Sequence, residues 1–297
     1  MPVRSPPDDA QGFVTFFGLP AARARGGGLD GEPRDAICFG LHSTEGMTAS
    51  EFEAPAQVRL ASARYGGFHP VHQADVLRRA RAGDAGDLTL DRDGELPAHI
   101  RQAVRAGSAL LGVASRTEPL CPMVEALHDR HGELGLLHVD ASPRTESAGF
   151  FRNCTQEHWA SPQAVVQLGL RAPTERADED AFARIHGGLV WSVDDMADHG
   201  PDNLAALARQ RLTGRPLVAV LHLSALDPCH VPGAADPIPG GLTTRELIRF
   251  VRNLVGLRIV GAWAVGAGSL PDETGRTAGV AAQLLFETLA LVALART

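Results

Sequence analysis

The sequence predicts an α/β protein built on a mostly parallel sheet, and three observations carry that reading. Short apolar runs recur along the chain, helical patterns lie between them, and the two kinds alternate. Such alternation is the mark of βαβ units, in which each helix carries the chain back so that the next strand can run parallel to the last.

Six apolar runs read as buried strands: residues 37–41, 109–113, 134–140, 164–171, 217–223 and 258–267. Four stretches read as helices. Residues 122–132 repeat apolar positions at helical spacing and stop on Gly132. Residues 202–214 open on Asp202 and end at Gly214 in the same way. Residues 243–256 start with a threonine cap followed by an Arg-Glu first turn, and 278–295 is so apolar throughout that it must be buried. The glycine-rich stretch at 24–35 has neither a strand before it nor a helix after it, so it reads as a surface loop and not as a phosphate cradle.

At 297 residues the chain suits one large α/β domain or two small ones and can bury a core without disulfides or metal. No linker divides it, so we expect a single domain over 12–297 preceded by a flexible arm, 1–11. A net charge of −7 argues against nucleic acid as a partner. Cys38, Cys121, Cys154 and Cys229 are widely spaced and read as reduced thiols. No unbroken apolar run approaches membrane-spanning length and the first residues hold no signal core, which points to a cytoplasmic protein with no membrane partner.

Several motifs, in order along the chain, resemble the ureohydrolases, most closely the agmatinase branch. They are GFVTFFGLP (12–20), AICFGLHSTEG and APAQVRLAS (between 36 and 62), GDAGDL (83–88), VVQLGLR (165–171) and, most specific, LDPCHVPGAADPIPGGLTTREL (226–247). The resemblance implies a three-layer α/β/α sandwich around an eight-stranded parallel sheet, and a trimer or hexamer. It also implies a binuclear manganese centre at the strand ends, whose bridging hydroxide attacks a guanidinium carbon and releases urea.

The ligand motifs depart from that pattern. Aligned without gaps, ASRTE (114–118) stands where the family has GGDHS, so Thr117 takes the place of a metal histidine and Arg116 that of the aspartate before it. In DASPR (140–144) Asp140 is kept, while Ser142 replaces a histidine and Arg144 an aspartate. Ahead of the Asp227-Pro228 turn, His222 and Ser224 replace two carboxylates, and a late acidic residue becomes Gly266. Ser147 stands where a histidine of the substrate loop would be. Five of the six ligand positions are therefore changed, two arginines enter, and we expect no metal and no other cofactor.

Three readings of the altered strand ends follow. Arg116 or Arg144 can pair with Asp140 and plug the site. The two guanidinium groups can instead form an anion pocket. Asp140, His222, Ser142 and Ser224 can serve as a metal-free acid–base or nucleophilic group. The first makes the protein a degenerate structural or regulatory homologue, with an intact ureohydrolase or a biosynthetic enzyme as partner. The others make it a repurposed enzyme acting on an anionic or guanidino substrate. Asp227, Pro228, Gly240 and Gly241 read as turn residues, Cys229 as a small turn residue and His138 as core. The remaining histidines, His69 and His72 among them, show no ligand spacing.

Overall fold

A computed structural model of the protein describes residues 14–23, 29–44, 46–90, 94–142, 150, 153–173, 184 and 186–295. The expected arm, Arg144 and Ser147 lie outside them. After a single 3-10 turn (Phe16–Gly18), the chain forms β1 (Ala36–Ser43), α1 (Ala49–Ser62), a small hairpin of β2 (Phe68–His69) and β3 (Ala74–Asp75), α2 (Val76–Arg79) and β4 (Ala82–Leu90). There follow α3 (Ala98–Ala106), β5 (Ala109–Ala114), α4 (Cys121–His131), β6 (Leu134–Val139), β7 (Ala160–Leu170) and β8 (Leu189–Ser192). The last part comprises α5 (Val193–Leu212), β9 (Pro216–His222), α6 (Thr244–Arg252), β10 (Arg258–Val265) and α7 (Arg276–Leu294).

Eight strands form one sheet in the order β4-β1-β5-β10-β9-β6-β7-β8, every neighbouring pair parallel. Apolar side chains fill both faces, giving two separate core clusters beneath two layers of helices. The three-layer sandwich is the fold expected from the sequence. The six apolar runs prove to be the six interior strands, which need apolar residues on both faces. Within this sheet, the two strands that periodicity missed, β4 and β8, are the edges. β4 carries glycines and aspartates, and β8 has only four residues, so neither shows the continuous apolar run of a strand covered on both sides.

The aspartates of β4 have a structural task. Arg59, from α1 and 1% exposed, donates to Asp84 at 2.8 and 3.1 Å and to Asp87 at 2.6 Å. Asp84 also accepts the Phe16 amide at 2.8 Å, so one carboxylate ties the N-terminal segment and α1 to the sheet edge.

Helix ends follow their caps. Thr243 with Glu246 forms the capping box that opens α6. The helix expected from Asp202 in fact begins at Val193, because Ser192 and Asp195 make another capping box. A kink at Gly200, φ 75°, just before Pro201, separates its two segments. By length and composition α7 could cross a membrane, but 72% of its apolar window is buried inside the domain, as expected of a core helix.

Candidate active site at the strand ends

The four central strands run β5-β10-β9-β6, and their C-terminal ends lie side by side. The sequence order changes direction here, leaving a crevice of the kind in which open α/β sheets bind ligands. Into it β5 delivers Ser115, Arg116 and Thr117, β10 delivers Gly266, β9 delivers His222 and Ser224, and β6 delivers Asp140 and Ser142. The ligand-motif positions that the structure describes therefore gather at one place, although they come from three separate stretches of sequence.

At the bottom of the crevice Asp140, Ser224 and His222 form a chain of hydrogen bonds. Ser224 Oγ donates to Asp140 Oδ1 at 2.7 Å and lies 2.6 Å from His222 Nδ1. The Ser224 amide also donates to His222 Nδ1, at 3.2 Å, which makes that nitrogen an acceptor, so the single Ser224 hydroxyl proton is shared between the imidazole and the carboxylate. The Ser142 amide donates to the same Asp140 oxygen at 3.3 Å. Asp140 is 0% and Ser224 1% exposed, so both sit beneath the surface. The serine occupies the middle of the chain, between acid and imidazole. A nucleophilic triad needs its histidine there.

Asp140 Oδ2 faces His138 Nε2 at 3.8 Å. Gln167 lies 3.3 Å from the other ring nitrogen. Burial pushes the His138 imidazole below its ordinary pKa, with Asp140 opposing and His222 adding to that shift, so it is a neutral core residue.

Above this chain lies an open cavity of about 910 Å³. Ser115, Arg116, Thr117, Ser142, His222 and Glu51 line its polar part; Pro173, Ile238 and Leu270 line its apolar part. Arg116 reaches across to α1: Nη2 donates to Gly46 O at 3.1 Å and Nε lies 3.6 Å from Glu51 Oε1. Among the described residues its ion-pair partner is Glu51 and not Asp140. The Ser115 and Thr117 hydroxyls are buried at the cavity wall with no hydrogen-bond partner among the described residues.

The wall opposite β5 is braced from behind. Arg171, at the end of β7, donates to the carbonyls of Ser224 at 2.8 Å and Ala225 at 3.1 Å, and also to those of Ile238 and Pro239. One guanidinium thus pins the turn after β9 to the segment that walls the cavity. Asp227 accepts the amides of Cys229, Gly240 and Gly241. Hydrogen bonds from Cys229, then from the two glycines, hold its carboxyl well below the usual carboxylate range. Its role is to close the turn.

A second cluster of histidine and carboxylate lies away from the strand ends, where His69 and His72 of the hairpin meet Glu287 of α7. His69 Nδ1 accepts the amides of Val71 and His72, at 3.3 and 3.2 Å, which places the ring proton on Nε2, 2.9 Å from Glu287 Oε2. Arg252 and Gln283 donate to the other carboxylate oxygen. A metal-bound histidine uses its remaining nitrogen as a donor, so this arrangement is that of a buried carboxylate held by a neutral histidine and paired with Arg252. The signal in the sequence was the three-residue spacing of the two histidines together with one glutamate in an otherwise apolar helix.

Glu51, Ser115 and Arg171 also escaped the sequence reading. None occupies a ligand position of the family motifs, and each joins the site only through contacts that folding creates.

Comparison with known proteins agrees with this architecture. The Arginase family profile matches residues 37–290. The chain is 31% identical to guanidinopropionase of Pseudomonas aeruginosa, over 95% of this chain and 92% of that protein. It is 29% identical to proclavaminate amidinohydrolase of Streptomyces clavuligerus, over 72% of each. The solved structure of the Streptomyces clavuligerus enzyme superposes with a TM-score of 0.79, at 24% identity, covering 97% of this chain and 99% of that one.

Proposed function

We propose that this chain, which belongs to the arginase family, keeps the ureohydrolase fold without the family's binuclear manganese chemistry, and serves as a degenerate structural or regulatory homologue. One observation carries the reading. Asp140, the only carboxylate at the described ligand positions, is fully buried and already accepts Ser224 Oγ and the Ser142 amide.

The donor set does not fit two divalent ions. Manganese favours hard oxygen ligands, and several carboxylates are needed to offset the charge of an ion pair. Here the described positions offer two serine hydroxyls, one threonine hydroxyl, one imidazole and one carboxylate that is already engaged. The Arg116 guanidinium lines the same cavity. At a moderate effective dielectric, each added positive charge within 4 Å of another costs on the order of 4 kcal/mol. The His222 ring also fills the space over Gly266, where the resemblance places an acidic residue. In this role the partner is an intact relative or further copies of this chain, as the trimers and hexamers of the resemblance suggest.

The test is urea release from guanidinopropionate, guanidinobutyrate and agmatine, the compounds to which the relatives' names point, with manganese in excess. We expect none above a protein-free control; urea formation that a chelator abolishes overturns the proposal. The Asp140–Ser224–His222 chain supports a second reading, a metal-free acid–base centre with His222 at the cavity. Chelator-resistant turnover lost in His222→Ala would favour it.

A further inference from the structure

We infer that the outer face of α1 is an interface between two copies of this chain, paired about a two-fold axis. Such a pairing is independent of whether the strand ends hold metal.

α1 turns Ala54, Val58 and Ser62 inward and shows solvent the positions 52, 53, 56, 57 and 60. One edge of that outer face is apolar. Phe52 and Leu60 are 62% and 52% exposed, Ala56 lies between them, and Ala63 continues the line. Positions 52, 56 and 60 have the i, i+4, i+8 spacing of a single helical stripe. A lone exposed leucine is ordinary, but large apolar side chains aligned on one helix form a patch that invites a partner. The Phe52 ring is also held in place. Its inner face stacks on the buried His42 imidazole, centroids 4.7 Å apart, so the ring loses little freedom when its outer face is covered.

The charges beside the stripe name the partner. Glu53 and Arg64 flank it on the same edge, both exposed, and neither has an ion-pair partner among the described residues. About 16 Å of chain at helical rise keeps them from meeting within one copy. When a second α1 packs antiparallel across the stripe, the axis falls near residue 58. Leu60 of each copy then meets Ala56 of the other, large against small, and Glu53 of each faces Arg64 of the other. The face is thus complementary to itself in shape and in charge, as a two-fold contact requires. One helix face is a small contact, at or below the roughly 1,200 Å² where standard interfaces begin, so the pairing should be reversible in the micromolar range.

Sedimentation equilibrium of the full-length protein, followed from about 1 to 100 µM, tests this. A two-fold contact doubles whatever smaller unit the chain forms, so Leu60→Glu should halve the mass. Glu53→Arg and Arg64→Glu each set like charges across the axis and should weaken the pairing about tenfold. The double variant Glu53→Arg/Arg64→Glu restores opposite charges and should recover it, an outcome that a merely misfolded variant cannot give. Charge reversals that the double variant does not rescue overturn the inference. So do a parent and a Leu60→Glu variant of equal mass throughout, a result that leaves the face to a different protein.

Discussion

The imidazole of His222 lies directly over Gly266: a Cβ built at position 266 would come within 2.8 Å of His222 Cε1 and 3.1 Å of Nε2. Gly266 also has φ 83°, a backbone conformation that side chains oppose. The two residues therefore fit only as a pair. At the end of β9 the ring occupies the volume that any side chain at the end of β10 would need.

Gly266→Ala should cost stability from both sources, about 2–4 kcal/mol in all. Chemical denaturation measures it. Adding His222→Ala should recover the steric part and leave the backbone part. A single Gly266→Ala variant as stable as the parent would contradict the packing described here.

The buried pair of His69 and Glu287, with Arg252, gives a second prediction. Glu287→Gln removes the carboxylate and leaves Arg252 without its buried counter-charge, a loss of about 3–5 kcal/mol. Zinc should neither stabilise the parent nor distinguish it from the variant in thermal melting. A zinc-dependent rise in Tm that Glu287→Gln abolishes would show that the cluster binds metal.

Arg171 donates to carbonyls on both sides of the turn after β9. Arg171→Met strands several of these acceptors and should destabilise by at least about 2 kcal/mol. Hydrogen exchange should rise first around Ser224–Leu226 and Ile238, the segments it joins. Uniform exchange across the domain would show that the arginine has no such local role.

The acid limb of stability follows from carboxyls held below their ordinary pKa. Burial alone would raise Asp272, but hydrogen bonds from Thr274 and Thr277 outweigh it and lower the group to about 2. Glu287 is also lowered: burial opposes the shift, and Arg252 and His69 produce it. A depressed folded pKa stabilises above the unfolded value and loses that contribution as pH falls through the folded one. For Asp272 the window runs from its ordinary value of 3.8 down to about 2. Asp272→Asn should flatten the stability profile across that interval and nowhere else. An unchanged acid limb would contradict the assignment.

The interior of the fold was legible in the sequence because a strand covered on both faces is apolar nearly throughout, as residues 217–221 are and residues 134–139 are apart from His138. The edges were not, since β4 uses Asp84 and Asp87 to anchor Arg59, and those residues break the apolar run. At the site, motif order brought Thr117, Asp140, Ser142, His222 and Ser224 to one crevice. The direction of Arg116 was not legible: whether a long side chain turns toward Asp140 or toward Glu51 depends on where α1 packs, and no local pattern encodes that. The cluster of His69, His72 and Glu287 was hidden for the same reason, because its members are joined across more than 200 residues of sequence.

The central claim, that these strand ends do not hold the family's metals, is tested most directly by elemental analysis of the full-length protein after equilibration with excess manganese and removal of free ion. With Asp140 committed to Ser224 and the Ser142 amide, the account predicts no stoichiometric manganese. A full binuclear complement retained by each chain would contradict it.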